Sequence, residues 1–89
     1  MKAIITVIGK DAVGILAKVS DACAKADVNI LEVTQSVLQD MFAMVMLVEI
    51  GKSNIGFEQL RENLNAVGES SGTKIHIMHE DIFNSMHKI

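Results

Sequence analysis

Apolar positions alternate between strand-like and helix-like spacing along the chain. Residues 3 to 8 form a short apolar run rich in β-branched side chains, which predicts a buried strand. Residues 15 to 27 have helical spacing, and the predicted helix has an apolar stripe of Ile15, Leu16, Val19, Ala22, Cys23 and Ala26. Residues 30 to 38 return to a period of two, with Leu31, Val33 and Val37 on one side.

The second half of the chain repeats this order after a predicted tight turn at Gln39-Asp40. Residues 42 to 50 are apolar at nearly every position, which is typical of a central strand. Residues 57 to 67 predict a second helix, with Gly68 and Gly72 as candidate stops. Residues 74 to 79 predict a last strand, and an amphipathic tail follows whose apolar side carries Ile82, Phe83 and Met86.

The predicted order, β-α-β-β-α-β plus a short C-terminal helix, indicates an α+β, ferredoxin-like sandwich. We expect a domain over residues 1–80 and a helical tail over 81–89, with a four-stranded antiparallel sheet that has both helices on one face. The first and third strands lie in the middle. The other face then exposes apolar side chains of the third strand, either Met44, Met46, Val48 and Ile50 or Ala43, Val45 and Leu47.

An exposed apolar face of this kind usually marks an interface, so we expect a homo-oligomer. The alternative is that the C-terminal helix covers part of that face.

Composition excludes several kinds of partner. The 89 residues have a net charge of −3, the eight basic residues are scattered, and the aromatic residues are three phenylalanines. Nucleic-acid binding is therefore not expected. The longest apolar run is eight residues, too short to span a membrane, and the single cysteine, Cys23, fits a reducing compartment and a buried, inert thiol. We expect a cytoplasmic protein with no membrane partner.

The segment Gly9-Lys-Asp-Ala-Val-Gly14 joins the first strand directly to the first helix. Such a turn leaves backbone N–H groups at a helix start, where anions bind, and Asp11 adds a carboxylate. A small ligand with a negative end and a donor-bearing end, such as an amino acid, would fit. Each residue also has a structural interpretation, because Gly14 suits a turn and Asp11 suits an N-cap.

These residues resemble the ACT domain, a small regulatory module. The resemblance rests on the strand Ile4-Ile-Thr-Val-Ile-Gly9, the loop Asp11-Ala-Val-Gly14 with Ile15 after it, and Val28-Asn29-Ile30. The chain is similar to free-standing single-ACT proteins and to the ACT repeats of the glycine cleavage system transcriptional repressor. Ala12-Val13 stands where the family often has Arg-Pro.

The resemblance implies a dimer that binds a small ligand, commonly an amino acid, between subunits. Serine-binding members have a histidine and an asparagine where this chain has Gly9 and Asp11, which argues against serine-like binding. Asn29 would offer a donor and an acceptor, although it also suits a turn. The implied ligand-binding residues are Asp11, Ala12, Val13, Gly14, Ile15, Asn29 and Ile30.

We therefore expect a regulatory module that senses an amino acid or related metabolite, as a dimer or dimer of dimers, with a possible partner protein. The alternative is a structural oligomerisation or protein-interaction module without a ligand. No catalytic set can be argued from the spacing, so an enzyme, a cofactor and catalytic residues are not expected. His76 and His79 would face opposite sides of a strand, so no metal site is expected either.

Overall fold

The computed structural model describes residues 1–10 and 13–86. This part of the chain forms β1 (Lys2–Gly9), α1 (Ile15–Lys25), β2 (Asn29–Leu38), β3 (Met41–Glu49), α2 (Phe57–Ser71), β4 (Lys74–His79) and α3 (Glu80–Met86). The predicted order of elements is confirmed. The largest difference between a predicted and an observed element boundary is at the end of α2, which continues through Gly68 to Ser71.

Gly68 does not stop α2 because its role is close packing. A Cβ at this position would lie 2.9 Å from the Thr73 carbonyl oxygen, so the helix passes near the start of β4 only because the residue is glycine. Gly72 ends the helix in the left-handed conformation, with φ 72°.

The strands form an antiparallel sheet in the order β2-β3-β1-β4. The expected ferredoxin-like sandwich is confirmed, with β1 and β3 in the middle. The helix α1 contacts α2 and β2, and α2 contacts β4. The core between the helices and the sheet contains Phe42, Met44, Met46 and Val48 of β3.

The burial of alternate β3 residues decides between the two registers left open by the sequence. Because Met44, Met46 and Val48 are buried under the helices, Ala43, Val45 and Leu47 belong to the opposite side of the sheet. We call this side the open face. The cross-strand register adds Ile4, Thr6 and Ile8 of β1 to it, opposite Leu47, Val45 and Ala43.

The open face is not uniformly exposed. Ile4 is 7% exposed, whereas Ile8 at the other end of β1 is 46% exposed. The short helix α3 contacts β1 and β4, and it follows His79, which pairs with Ala3 next to Ile4. The C-terminal helix thus lies near the Ile4 end of the open face, in agreement with the alternative that it covers part of that face. The Ile8 end remains apolar and accessible.

The edge strand β2 departs from its predicted alternation at one point. The register with β3 shifts between Ile30 and Glu32, which leaves Leu31 in a β-bulge. Beyond it, Val33 and Val37 lie opposite the core residues Met46 and Phe42. Residues 31 to 40 are nevertheless all exposed, and β2 is an edge strand of the sheet.

Among the described residues, no helix is both long enough and apolar enough to cross a bilayer.

Candidate functional site

Gly14 has the backbone conformation that the sequence suggested for the turn before α1. Its φ is 73°, its carbonyl oxygen accepts the first helical hydrogen bond from the Lys18 N–H at 3.0 Å, and it is exposed. A Cβ built on Gly14 meets none of the described atoms within 4 Å. The described residues therefore leave open space beside the backbone at the positive end of the α1 dipole, where a ligand could approach closely.

The neighbours of Gly14 have different environments. Val13 is 87% exposed, whereas the side chain of Ile15 is 1% exposed and belongs to the core. Only the backbone of Ile15 is thus placed to contact a ligand. Asp11 and Ala12 lie outside the described residues, so the choice between capping and ligand contact for Asp11 stays open.

Gly9, at the start of the same turn, has a packing role that sequence reasoning missed. A Cβ on Gly9 would lie 2.6 Å from Thr73 Cγ2. Thr73 is itself buried and fixed, because its N–H donates to the Gly68 carbonyl at 2.9 Å and its Oγ1 lies 2.9 Å from Ser71 Oγ. The turn is therefore anchored on the α2–β4 connection by contact between Gly9 and Thr73.

Asn29 is the exposed first residue of β2, and Ile30 packs against the core. An open hollow beside Asn29 is lined also by Asp27 and Lys52, so a carboxylate, an amide and an ammonium group lie around it. Groups of both signs and an amide suit a zwitterionic ligand.

Asn54 holds this end of α1, and nothing in the sequence indicated it. Its Nδ2 donates to the Lys25 carbonyl at 3.0 Å and to Asp27 Oδ2 at 2.9 Å, and its N–H donates to the Ala26 carbonyl at 3.0 Å. Asp27 is in the left-handed conformation, with φ 57°. These bonds satisfy carbonyl groups at the helix C-terminus and fix the approach to Asn29.

The two halves of the implied site do not meet within one chain. Gly14 precedes α1 and Asn29 follows it, and a helix of 11 residues is about 16 Å long. The strand register agrees, because Gly9 lies level with Phe42 and Val37, while Asn29 lies level with Glu49 and Lys2 at the opposite end of the sheet.

Three other candidate residues were placed correctly on their elements. Cys23 is fully buried in the α1 stripe, and burial raises the pKa of its thiol from 9.0 to about 11. A thiol with a raised pKa has little thiolate at neutral pH and is inert. His76 and His79 pair with Thr6 and Ala3 and so lie on opposite faces, as expected.

Comparison with known proteins identifies the fold family. The family model described as the ACT domain matches residues 2–78. The chain belongs to the ACT domain family. ACT domains are regulatory modules that bind small ligands, and the predicted resemblance is confirmed.

Individual relatives agree with this assignment. A UPF0237 protein of Clostridium acetobutylicum is 45% identical over 89 residues, which cover all of both chains. An ACT domain protein from Streptococcus pneumoniae is 40% identical, with a TM-score of 0.81 and coverage of 98% of each chain. A putative glycine cleavage system transcriptional repressor shares the fold at 19% identity, with a TM-score of 0.72 over 86% of this chain and 44% of the other.

Proposed function

We propose that this ACT domain is a regulatory module that binds an amino acid or a related small metabolite between two copies of the chain. The observation that carries the proposal is the separation of Gly14 and Asn29 by the length of α1. One ligand can contact both regions only if they come from different chains.

The exposed edge of β2 supports a specific pairing of the two copies. Beyond the bulge at Leu31 and the charged Glu32, residues 33 to 38 contain no charged residue and no proline, the residues that usually protect a free edge. Three apolar side chains of this segment are exposed: Val33, Val37 and Leu38. The outward-facing backbone N–H and C=O groups of such an edge gain hydrogen bonds when it pairs with another strand. A second copy supplies an identical strand in an isologous contact.

Antiparallel pairing of β2 with its own copy brings the two half-sites together. The β1–α1 turn lies at the hairpin end of β2, because Gly9, Phe42 and Val37 are level with one another. In an antiparallel pair, the start of one β2 lies beside the end of the other. Asn29 of the second copy would therefore lie at the same end as Gly14 of the first.

The proposed site has chemistry suited to a zwitterion. The N-terminal end of α1 carries backbone donors and a positive dipole end, which favour a carboxylate. Asn29 and Asp27 of the second copy supply an amide and a carboxylate, which accept hydrogen bonds from an ammonium group. Val13 and Val37 are exposed apolar neighbours for the rest of the ligand.

A thermal-shift screen against the twenty amino acids tests this function. We expect one or a few amino acids to raise the melting temperature of the wild-type protein, because a ligand that binds only the folded dimer stabilises it. For a ligand of this subunit site, Gly14→Asn and Asn29→Ala should each abolish that rise.

Gly72→Asn is the matched control, since Gly72 has φ 72° and no described atom within 4 Å of a built Cβ, as at Gly14. It should keep the full ligand response. A flat screen on folded protein would contradict ligand sensing and would favour the interaction module.

A further inference from the structure

A second concave site lies at the opposite end of the sheet from the β1–α1 turn. It consists of an apolar recess of about 170 Å³, bordered by Ile50, Ile55, Phe57 and Leu60, and of a charged hollow that continues from it. Met1 and His79 line both parts, so they stand at the junction. We call this combined feature the His79 pocket.

The recess has the size and lining of a site for a compact apolar group. Ile50, Ile55 and Phe57 are half-buried and pack against the core, and Leu60 forms a fully buried wall. An apolar cavity of about 150 Å³ is large enough for benzene. The recess thus fits a branched aliphatic or phenyl side chain.

The His79 ring is held in a fixed orientation while its nitrogens remain available. Its ring stacks on Phe57 with centroids 4.3 Å apart and planes at 16°, and Arg61 Cζ lies 5.2 Å from the Phe57 centroid. The structure gives the imidazole no hydrogen-bond partner within residues 1–10 and 13–86. A half-buried imidazole with open nitrogens offers a polar contact beside the apolar recess.

The charged hollow carries groups of both signs. Glu49 is already engaged, because its Oε1 accepts hydrogen bonds from the Met1 ammonium at 2.9 Å and from the Gly51 N–H at 2.6 Å. Lys2 supplies a cation, and Glu80 and Asp81 supply carboxylates. A ligand head group that carries both charges can pair with both kinds of residue.

We propose that the His79 pocket binds a small zwitterion with a compact apolar side chain. The side chain enters the recess beside Phe57, the carboxylate is recognised by His79 and Lys2, and the ammonium group is recognised by Glu80 and Asp81. This site is separate from the proposed subunit site, because each copy of the chain contains it whole. It makes the protein a two-site binder.

An NMR titration with L-leucine and with L-phenylalanine as probes tests the proposal residue by residue. We expect saturable amide shift changes at Ser53, Ile55 and Phe57 with at least one of the two probes. His79→Phe keeps the ring stack and removes the nitrogens, so it should weaken binding at this pocket at least tenfold. His76→Phe, on the same strand but the other face, should leave it unchanged.

A second variant guards against a purely structural effect of His79→Phe. Ile55→Phe should fill part of the recess and exclude the larger probe more strongly than the smaller one. Gly14→Asn should leave the shifts at Ser53, Ile55 and Phe57 intact even where it abolishes shifts at the β1–α1 turn. Absence of shifts at these three residues with both probes at millimolar concentration, or equal binding in wild type and His79→Phe, would overturn the proposal.

Discussion

Single residues with strict steric or conformational requirements fix the turn before α1. Gly9 touches Thr73 and Gly14 has a positive φ, although both read simply as turn glycines in the sequence. The positive φ of Gly14 follows from a strand that enters a helix through a tight turn, and it could be predicted. The contact of Gly9 with Thr73 could not, because Thr73 is distant in sequence and comes close only when β4 pairs with β1.

Gly9→Ala should destabilise the fold by about 1–3 kcal/mol, because the new methyl group would overlap the Thr73 methyl group. Urea unfolding measures the change in the free energy of unfolding. Thr73→Ser removes that methyl group and keeps the hydroxyl contact with Ser71. In the double variant part of the loss should be recovered, since the Thr73 Cβ would still lie 3.2 Å from the new methyl group. An equal loss in Gly9→Ala with or without Thr73→Ser would contradict the contact.

Cys23 should make the stability depend on pH in the alkaline range. Its folded pKa of about 11 lies above the value of 9.0 for a free thiol, so the unfolded chain loses this proton first. The contribution is intact below pH 9 and falls as the pH rises toward 11. Urea unfolding of wild type and Cys23→Ala over this range should show a steeper decline for wild type, and parallel declines would refute the burial effect.

At the level of elements, the alternation of the apolar pattern was enough to predict the order and type of every strand and helix. It could not choose the buried side of β3, because both sides of that strand are apolar, and the choice came from packing against α1 and α2. The bulge at Leu31 was also beyond prediction, since it depends on the pairing of β2 with β3. The Asn54 cap joins residues far apart in the sequence, and no local pattern marks such a contact.

Asn54→Ala should lower the free energy of unfolding by about 1–2 kcal/mol, because it removes two side-chain hydrogen bonds at the C-terminus of α1. Amide hydrogen exchange should become faster at the end of α1 and at Asn29. The control is Asn63→Ala, whose side chain bonds to Gln59 on the surface of α2 and to no other side chain in the described part of the protein. A loss no larger than that of the control would show that Asn54 does not hold the helix end.

At the scale of the whole molecule, the alternation of β2 side chains between the two faces of the sheet restricts how two copies can pair. Residues directly opposite each other in an antiparallel pair point to the same face. If the helices of both copies lie on one side of a continuous sheet, one residue of β2 must lie at the twofold axis and pair directly with the same residue of the second copy. The candidates for this axis position near the middle of β2 are Val33, Thr34 and Gln35.

Single cysteine substitutions test this pairing. The residue on the axis faces its own copy, so one of Val33→Cys, Thr34→Cys and Gln35→Cys should form an interchain disulfide readily under mild oxidation. Native Cys23 is buried and should not compete. Ser70→Cys, on the exposed side of α2, serves as the control, and comparable cross-linking at Ser70, or none at the three β2 positions, would exclude the β2 edge as the interface.

The most direct test of the shared site mixes two defective variants. Once a screen has supplied a ligand, Gly14→Asn and Asn29→Ala are unfolded together and refolded, and binding is measured by calorimetry. A site built from two chains predicts that each mixed dimer regains one intact site, so binding at the shared site returns to about a quarter of its wild-type capacity. If every site belongs to one chain, the mixture will bind no more ligand than either variant alone, and the account of an inter-subunit sensor will be wrong.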